Sequence, residues 1–279
     1  MSRLFVFGLG YTAGMLSRHL QGRGWHVAGT TRDGRGGSVR FDDAGSVLAE
    51  VAAATHILSS VPPEGEGDPV LTRYGAVLAD SGAWLGYLSS TGVYGDTGGA
   101  WVDEGAPTGS GRRGARAAAD AAWLAAGARV LRLPGIYGPG RSPLDRVKQG
   151  RAHRVGITGQ VFSRIHVDDL IAGIVASFDG PAGAYNLADD LPCDQDAVVT
   201  FAAELLGLPV PALASLDSLS PTARGFYAEN RRVANAKAKR VLGWRPRFAD
   251  YRLGLRALNA MTSPTPASAP PAPASSDQR

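Results

Sequence analysis

Leu4-Phe5-Val6-Phe7-Gly8-Leu9-Gly10-Tyr11-Thr12-Ala13-Gly14 is the stretch whose reading decides the fold. Its four large apolar residues in a row predict a strand buried on both faces, as in a parallel sheet. Gly8 and Gly10 follow at once, and helical periodicity runs on from about Ala13 to Leu20. Strand, glycine turn and helix start together make a receptacle for a dinucleotide pyrophosphate. The first glycine permits the tight turn, and the second lets a phosphate reach the backbone. A small third residue lets helix and strand pack closely, while the helix N-terminus supplies N–H groups and the positive end of its dipole. Ala13 completes the G-x-G-x-x-G/A spacing, and Gly14 offers a second register. With 37 glycines in the chain, the triplet alone is weak, and its place at the first strand–helix junction gives it weight.

Working outward, the second strand is read over Trp25–Thr30 and closes on Thr31-Arg32. About 20 residues past the glycines, an NAD site places Asp or Glu to accept from the ribose 2′-OH, whereas an Arg welcomes a 2′-phosphate. Thr31 and Arg32, with Arg35 behind them, therefore favour NADP(H) over NAD(H), although Asp33 stands beside them. Val39–Phe41 reads as a third strand and Thr55–Ser60 as a fourth, whose Ser59-Ser60 end would lie beside the cofactor. Asp68-Pro69 marks a helix start, an N-cap followed by proline at the first helical position. A fifth strand over Ala83–Ser90 runs into Thr91-Gly92-Val93-Tyr94-Gly95, and a loop containing Trp101 extends to about Thr108. A basic, alanine-rich helix from about Gly111 to Ala126 and a sixth strand over Arg129–Leu133 complete the alternation. Such alternation predicts an α/β fold, a doubly wound parallel sheet with helices on both faces.

Beyond residue 140 the pattern is less regular. Helices are expected after Ser142-Pro143, at Asp168-Asp169, and from Asp194, Asn235 and Asp250, with a strand over Ala184–Leu187. Residues 1–261 read as one dinucleotide-binding unit, with a small C-terminal α/β lobe mainly from 140–261. The Pro/Ala/Ser-rich stretch 262–279 reads as a disordered tail.

Hydrophobic residues make up 44% of the 279-residue chain, charged residues 19%, and the net charge is +4, all ordinary for a globular protein. The basic run from Arg224 to Arg247 contains one acid, Glu229, and no aromatic-interleaved basic stripe accompanies it. It predicts a solvated face near an anionic ligand, and no nucleic-acid partner. The single cysteine, Cys193, excludes an internal disulfide and suits a reducing compartment. No metal-ligand spacing stands out. The run Leu4–Phe7 is too short for a secretory segment, and no apolar stretch reaches the roughly 20 residues needed to span a bilayer. A cytoplasmic protein without membrane association is expected.

Taken in order, the glycine turn, Ser89-Ser90-Thr91-Gly92-Val93-Tyr94-Gly95, the Arg132…Tyr137-Gly138-Pro139-Gly140 run, His166-Val167-Asp168-Asp169, Tyr185-Asn186 and Leu242-Gly243-Trp244-Arg245-Pro246 resemble the extended short-chain dehydrogenase/reductases of the NAD-dependent epimerase/dehydratase type. The resemblance covers roughly residues 3–261. It implies a Rossmann-type domain with a substrate lobe, an active site between them, and a homodimer formed through sheet-flanking helices. It also implies a Ser/Thr that holds the substrate oxygen and a Tyr-x-x-x-Lys pair for proton transfer. Ser90 takes the Ser/Thr position, with Thr91 beside it, but the pair falls on Arg112 and Arg116. No Tyr lies between Tyr94 and Tyr137.

A guanidinium stays protonated and cannot cycle a proton, so Arg112 cannot replace the tyrosine. One helical turn apart, Arg112 and Arg116 would suit a carboxylate, a phosphate or a developing oxyanion, or would decorate an exposed helix start. The combination resembles the atypical branch of the superfamily. Tyr137, Tyr94 and His166 are the substitute proton donors to consider, although His166 and Asp168 also suit a loop contact and a helix cap. Two functions follow. One is an NADP(H)-dependent oxidoreductase or epimerase with a non-standard proton donor and a small polar or anionic substrate. The other is a catalytically silent NADP(H)-binding sensor or partner protein. An ordinary nucleotide-sugar epimerase is disfavoured, since that chemistry needs the tyrosine.

Overall fold

A computed structural model describes residues 2–65, 67–111 and 114–262. The chain begins β1 (Arg3–Phe7), α1 (Tyr11–Gln21), β2 (His26–Thr31), β3 (Val39–Arg40), α2 (Ala44–Ala53), β4 (His56–Ser59), α3 (Pro69–Asp80) and β5 (Trp84–Ser90). It continues through β6 (Trp101–Val102), α4 (Gly114–Ala125), β7 (Arg129–Leu133), β8 (Gly135–Tyr137), α5 (Pro143–Lys148), β9 (Arg164–His166), α6 (Val167–Ala176) and β10 (Gly183–Asn186). Last come α7 (Gln195–Leu205), α8 (Pro221–Tyr227), β11 (Arg232–Val233), α9 (Ala236–Val241) and α10 (Tyr251–Thr262). The expected disordered tail lies outside the described residues, except Thr262, which ends α10.

Seven strands form one sheet in the order β10-β7-β5-β4-β1-β2-β3, and every pairing in it is parallel. Buried on both faces, Leu4–Phe7 are at most 1% exposed, as the unbroken apolar run requires. Leu4 and Val6 pack with α1 and α6, while Phe5 and Phe7 pack with α2, α3 and α4. The chain leaves β1 toward β2 and β3, then returns to the other side of β1 as β4. That reversal opens a crevice at the carboxyl ends of β1 and β4, where doubly wound sheets bind ligands.

Helix starts follow the sequence signals. Asp68 Oδ1 accepts from Val70 and Leu71 N–H at 2.9 and 3.0 Å, capping α3. Ser142 and Asp145 form a reciprocal capping box on α5. His166, rather than Asp168, caps α6, its Nδ1 accepting from Asp168 N–H at 3.2 Å. Asp169 instead fastens the lobe, accepting from Arg247 and Phe248 N–H at 2.8 and 2.9 Å.

The lobe packs α5, α7 and α10 around its own apolar cluster. Two-stranded pairs β8–β9 and β11–β6 tie it to the main body. β6 and β11 fall in stretches read from sequence as loop and basic run, because two residues carry no periodicity to read. No helix among the described residues is long and apolar enough to cross a membrane.

Candidate functional site

The glycine turn sits at the crevice, held by Thr30 on one side and Ser60 on the other. Gly8 has φ +88°, which favours glycine, and its N–H donates to Thr30 Oγ1 at 3.1 Å. Ser60 Oγ donates to Gly8 O at 2.5 Å, and Leu9 N–H donates to Thr30 O at 2.8 Å. Gly10 is the N-cap of α1 and gives the helix no side-chain cap. A Cβ built on Gly10 would meet no atom within 4 Å, so the space in front of the helix N-terminus is open. Thr12 and Ala13 are buried under the turn. Tyr11 reaches across to the lobe, where its OH donates to Pro139 O at 3.1 Å, and Arg141 lies over its ring.

At the end of β2, Thr31 does not point outward as a lone hydroxyl. Its Oγ1 accepts from Gly34 N–H at 2.9 Å and lies 2.7 Å from Ser38 Oγ and 3.2 Å from Asp33 Oδ1. Desolvation raises the pKa of the Asp33 carboxyl, but the hydrogen bonds from Arg35 N–H and Thr31 Oγ1 together outweigh it and hold the group below its ordinary range. Arg32 is exposed and pairs with Glu64, from the loop after β4, at 3.5 Å. Of the two serines that end β4, Ser60 braces the glycine turn, whereas the Ser59 hydroxyl is fully buried in the core without a partner.

Ser90 ends β5 beside this edge, and its Oγ accepts from Gly92 N–H at 3.1 Å, capping the 3-10 turn Thr91–Tyr94. Thr91 is buried in that turn. Behind it runs a buried polar chain that the sequence did not announce. Ser89 Oγ donates to Asp120 Oδ2 at 2.6 Å, and Arg132 donates to both Asp120 oxygens at 2.7 and 3.1 Å. Arg132 Nη1 also donates to Tyr94 OH at 3.0 Å, and Tyr94 OH donates to Asn186 Oδ1 at 2.7 Å. Glu104 Oε1 accepts from Asn186 N–H at 2.7 Å. Tyr94 is thus buried with its hydroxyl both donating and accepting, and burial raises its pKa. It is a strut, and unsuited to deliver a proton to substrate.

The remaining candidates are similarly fixed. Arg116 Nη1 donates to Tyr87 OH at 2.8 Å and to Leu88 O at 3.5 Å, so its guanidinium is tethered to β5. Tyr87 is itself fully buried, and desolvation pushes its pKa up to about 12 despite Arg116. Arg112 lies outside the described residues. Tyr137 turns into the lobe: its buried OH has no partner and abuts Gly254 of α10. Desolvation raises its pKa far above that of an ordinary phenol. Asp189, also buried, has neither carboxylate oxygen partnered, and desolvation pushes it up to about 8. Desolvation keeps the His166 pKa low, and its Nε2 is buried and unpartnered. No group of three or more His, Cys, Asp or Glu among the described residues could hold a metal ion.

The parallel sheet, the switch point and the glycine turn together are those of the Rossmann-type dehydrogenases and epimerases. No family model matches the chain. A solved protein from Silicibacter pomeroyi, described as functionally unknown and conserved, is 41% identical, covering 94% of this chain and 99% of its own, with a TM-score of 0.86. The Escherichia coli K12 protein YeeZ is 28% identical over 84% of this chain and 94% of its own. A 3-diazoavenalumate denitrifying reductase from a Streptomyces species is 30% identical over 138 residues, which is 45% of each chain. The match therefore spans less than half of that reductase. More distant structures of the same fold, 17–20% identical with TM-scores of 0.69–0.74, hold NAD or NADPH, among them a dTDP-glucose 4,6-dehydratase and the human epimerase family protein SDR39U1. This chain belongs to the family of the Silicibacter protein, and it shares its fold with NAD-dependent epimerase/dehydratase-type and atypical short-chain dehydrogenase/reductase structures.

Proposed function

We propose that the protein is an NADP(H)-dependent oxidoreductase acting on a small polar or anionic substrate, without the Tyr-Lys pair. The observation that carries this reading is the open N-terminus of α1. Gly10 leaves it uncapped with free space in front, and Gly8, Thr30 and Ser60 hold the turn rigid behind it. A diphosphate seated there would accept from the first-turn N–H groups and lie at the positive end of the helix dipole. Thr31 would fix the turn that carries Arg32, and Arg32 would supply charge to a 2′-phosphate on the adenosine ribose. A reduced nicotinamide supplies a hydride when bound. Ser90, at the end of β5, would orient a substrate oxygen, with Thr91 in the turn that follows, and the arginine tethered at position 116 would add positive charge. The name of the Streptomyces relative supports a reductase and extends the substrate range worth screening to diazo compounds.

The test is nucleotide binding by fluorescence titration, followed by NADPH consumption over carbonyl and diazo compounds. Tight binding with turnover supports the reading, and failure to bind either nucleotide overturns it. A second reading, a silent NADP(H)-binding protein, draws on the same geometry. Tyr94 is committed to a buried network and Tyr137 is walled off beneath α10, so neither reaches the crevice as a proton donor. Binding without turnover across the screen favours that reading.

A further inference from the structure

The loops that follow β2 and β4 stand on either side of β1 and its glycine turn, because β1 lies between those strands in the sheet. Among the described residues, one ion pair, Arg32 Nη2 to Glu64 Oε1 at 3.5 Å, joins the two loops. Both ends are anchored in backbone. On one side, Thr31 Oγ1 gathers Gly34 N–H and Ser38 Oγ and fixes the turn that carries Arg32. On the other, Glu64 and Gly67 exchange N–H···O bonds of 3.0 and 3.2 Å across a tight turn, just ahead of Asp68, the buried cap of α3. The pair therefore links the two loops at the side of the crevice where, on the nucleotide reading, the ribose of a bound adenosine would lie.

We infer that Glu64 is the counter-ion that a ribose 2′-phosphate displaces from Arg32, and that it thereby sets the discrimination between NADP(H) and NAD(H). This rests on the nicotinamide-nucleotide reading of the site. Arg32 and Glu64 are 89% and 67% exposed, so water screens their attraction and the pair exchanges partners readily. Both a phosphate and a carboxylate can pair with a guanidinium in bidentate fashion, but the phosphate carries more charge, so it wins Arg32. The displaced Glu64 then faces the phosphate as a like charge. A 2′-hydroxyl has no charge to compete with and leaves the pair in place. Asp33 does not share this role. Its carboxylate accepts from Thr31 Oγ1 and Arg35 N–H within its own turn, whereas Glu64 reaches Arg32 from another strand's loop.

The experiment measures NADPH and NADH affinity by titration, with adenosine 2′,5′-bisphosphate and 5′-AMP as probes of the half-site, on wild type, Glu64→Gln, Glu64→Lys and Arg32→Ala. Glu64→Gln should raise the NADPH:NADH affinity ratio about two- to five-fold, the range an exposed ion pair allows. Glu64→Lys should raise it further, and Arg32→Ala should lower it. The bisphosphate:AMP ratio should move in the same direction each time. An unmoved ratio in Glu64→Gln, or an equal shift for both nucleotides, overturns the inference and leaves the cofactor reading standing. If wild type binds none of the four nucleotides, both fall together.

Discussion

Gly8 and Gly10 stand two residues apart and meet different demands. Gly8 sits at φ +88° with Ser60 and Val61 within 3.1 Å of any added Cβ, so Gly8→Ala should cost about 1–2 kcal/mol of stability from backbone strain alone. Gly10 has extended backbone angles and empty space around its missing Cβ. Gly10→Val should therefore fold with a nearly unchanged melting temperature, yet weaken nucleotide binding at least about tenfold by filling the phosphate space. Parallel thermal melts and titrations separate the two, and equal damage to both properties in Gly10→Val would speak against an open phosphate seat.

Asp189 poses a different single-residue problem. Burial pushes its carboxyl up to about 8, whereas in the unfolded chain it titrates near the ordinary value of about 4. Folding between those values must take up a proton, so this contribution to stability is whole below about pH 4, falls by roughly 1.4 kcal/mol per pH unit as pH rises, and is gone above about pH 8. Asp189→Asn carries no such charge. Its stability relative to wild type should be greater at pH 8 than at pH 5 in denaturant titrations. Parallel pH profiles for the two proteins would sink this account.

At the scale of elements, β5, β7 and α4 are joined by the Ser89–Asp120–Arg132–Tyr94 chain. Arg132 and Asp120 are 3% and 1% exposed, so removing one charge strands the other in the core. Asp120→Asn should cost about 3–5 kcal/mol, measured by chemical denaturation, and a loss below about 1 kcal/mol would mean that Arg132 finds water instead. The contrast between elements and this network shows where sequence reading succeeds. Leu4–Phe7 and Asp68-Pro69 speak for themselves, since burial on both faces and a capped helix start leave local patterns. The partners of Arg132 lie at positions 94, 104 and 120, Tyr94 meets a residue 92 positions away, and Glu64 meets Arg32 across β1. Such pairs are set by topology, which no local window contains. The same holds for Tyr94 and Tyr137, whose residue type suggests a proton donor and whose burial is set by the fold.

Across the whole molecule, the lobe is fastened by close contacts as well as hydrogen bonds. Gly254 lets α10 lie directly on Tyr137, which a Cβ there would overlap. Gly254→Ala should push α10 outward at a cost of about 1–3 kcal/mol, seen as a drop of several degrees in the melting transition. An unchanged melt would mean that the tyrosine moves aside at little cost.

The position of β10 bears on how the chain is made. Its partner β7 leaves the ribosome first, but Gly183 pairs with Arg129, so the outer edge of β7 stays open until the intervening stretch, with β8, α5, β9 and α6, has also emerged. During that interval the nascent chain presents an unpaired parallel edge, the surface most prone to wrong pairing. The stretch between β7 and β10 thus postpones closure of that edge during synthesis, and chains stopped between residues 134 and 182 should aggregate more readily than the full chain.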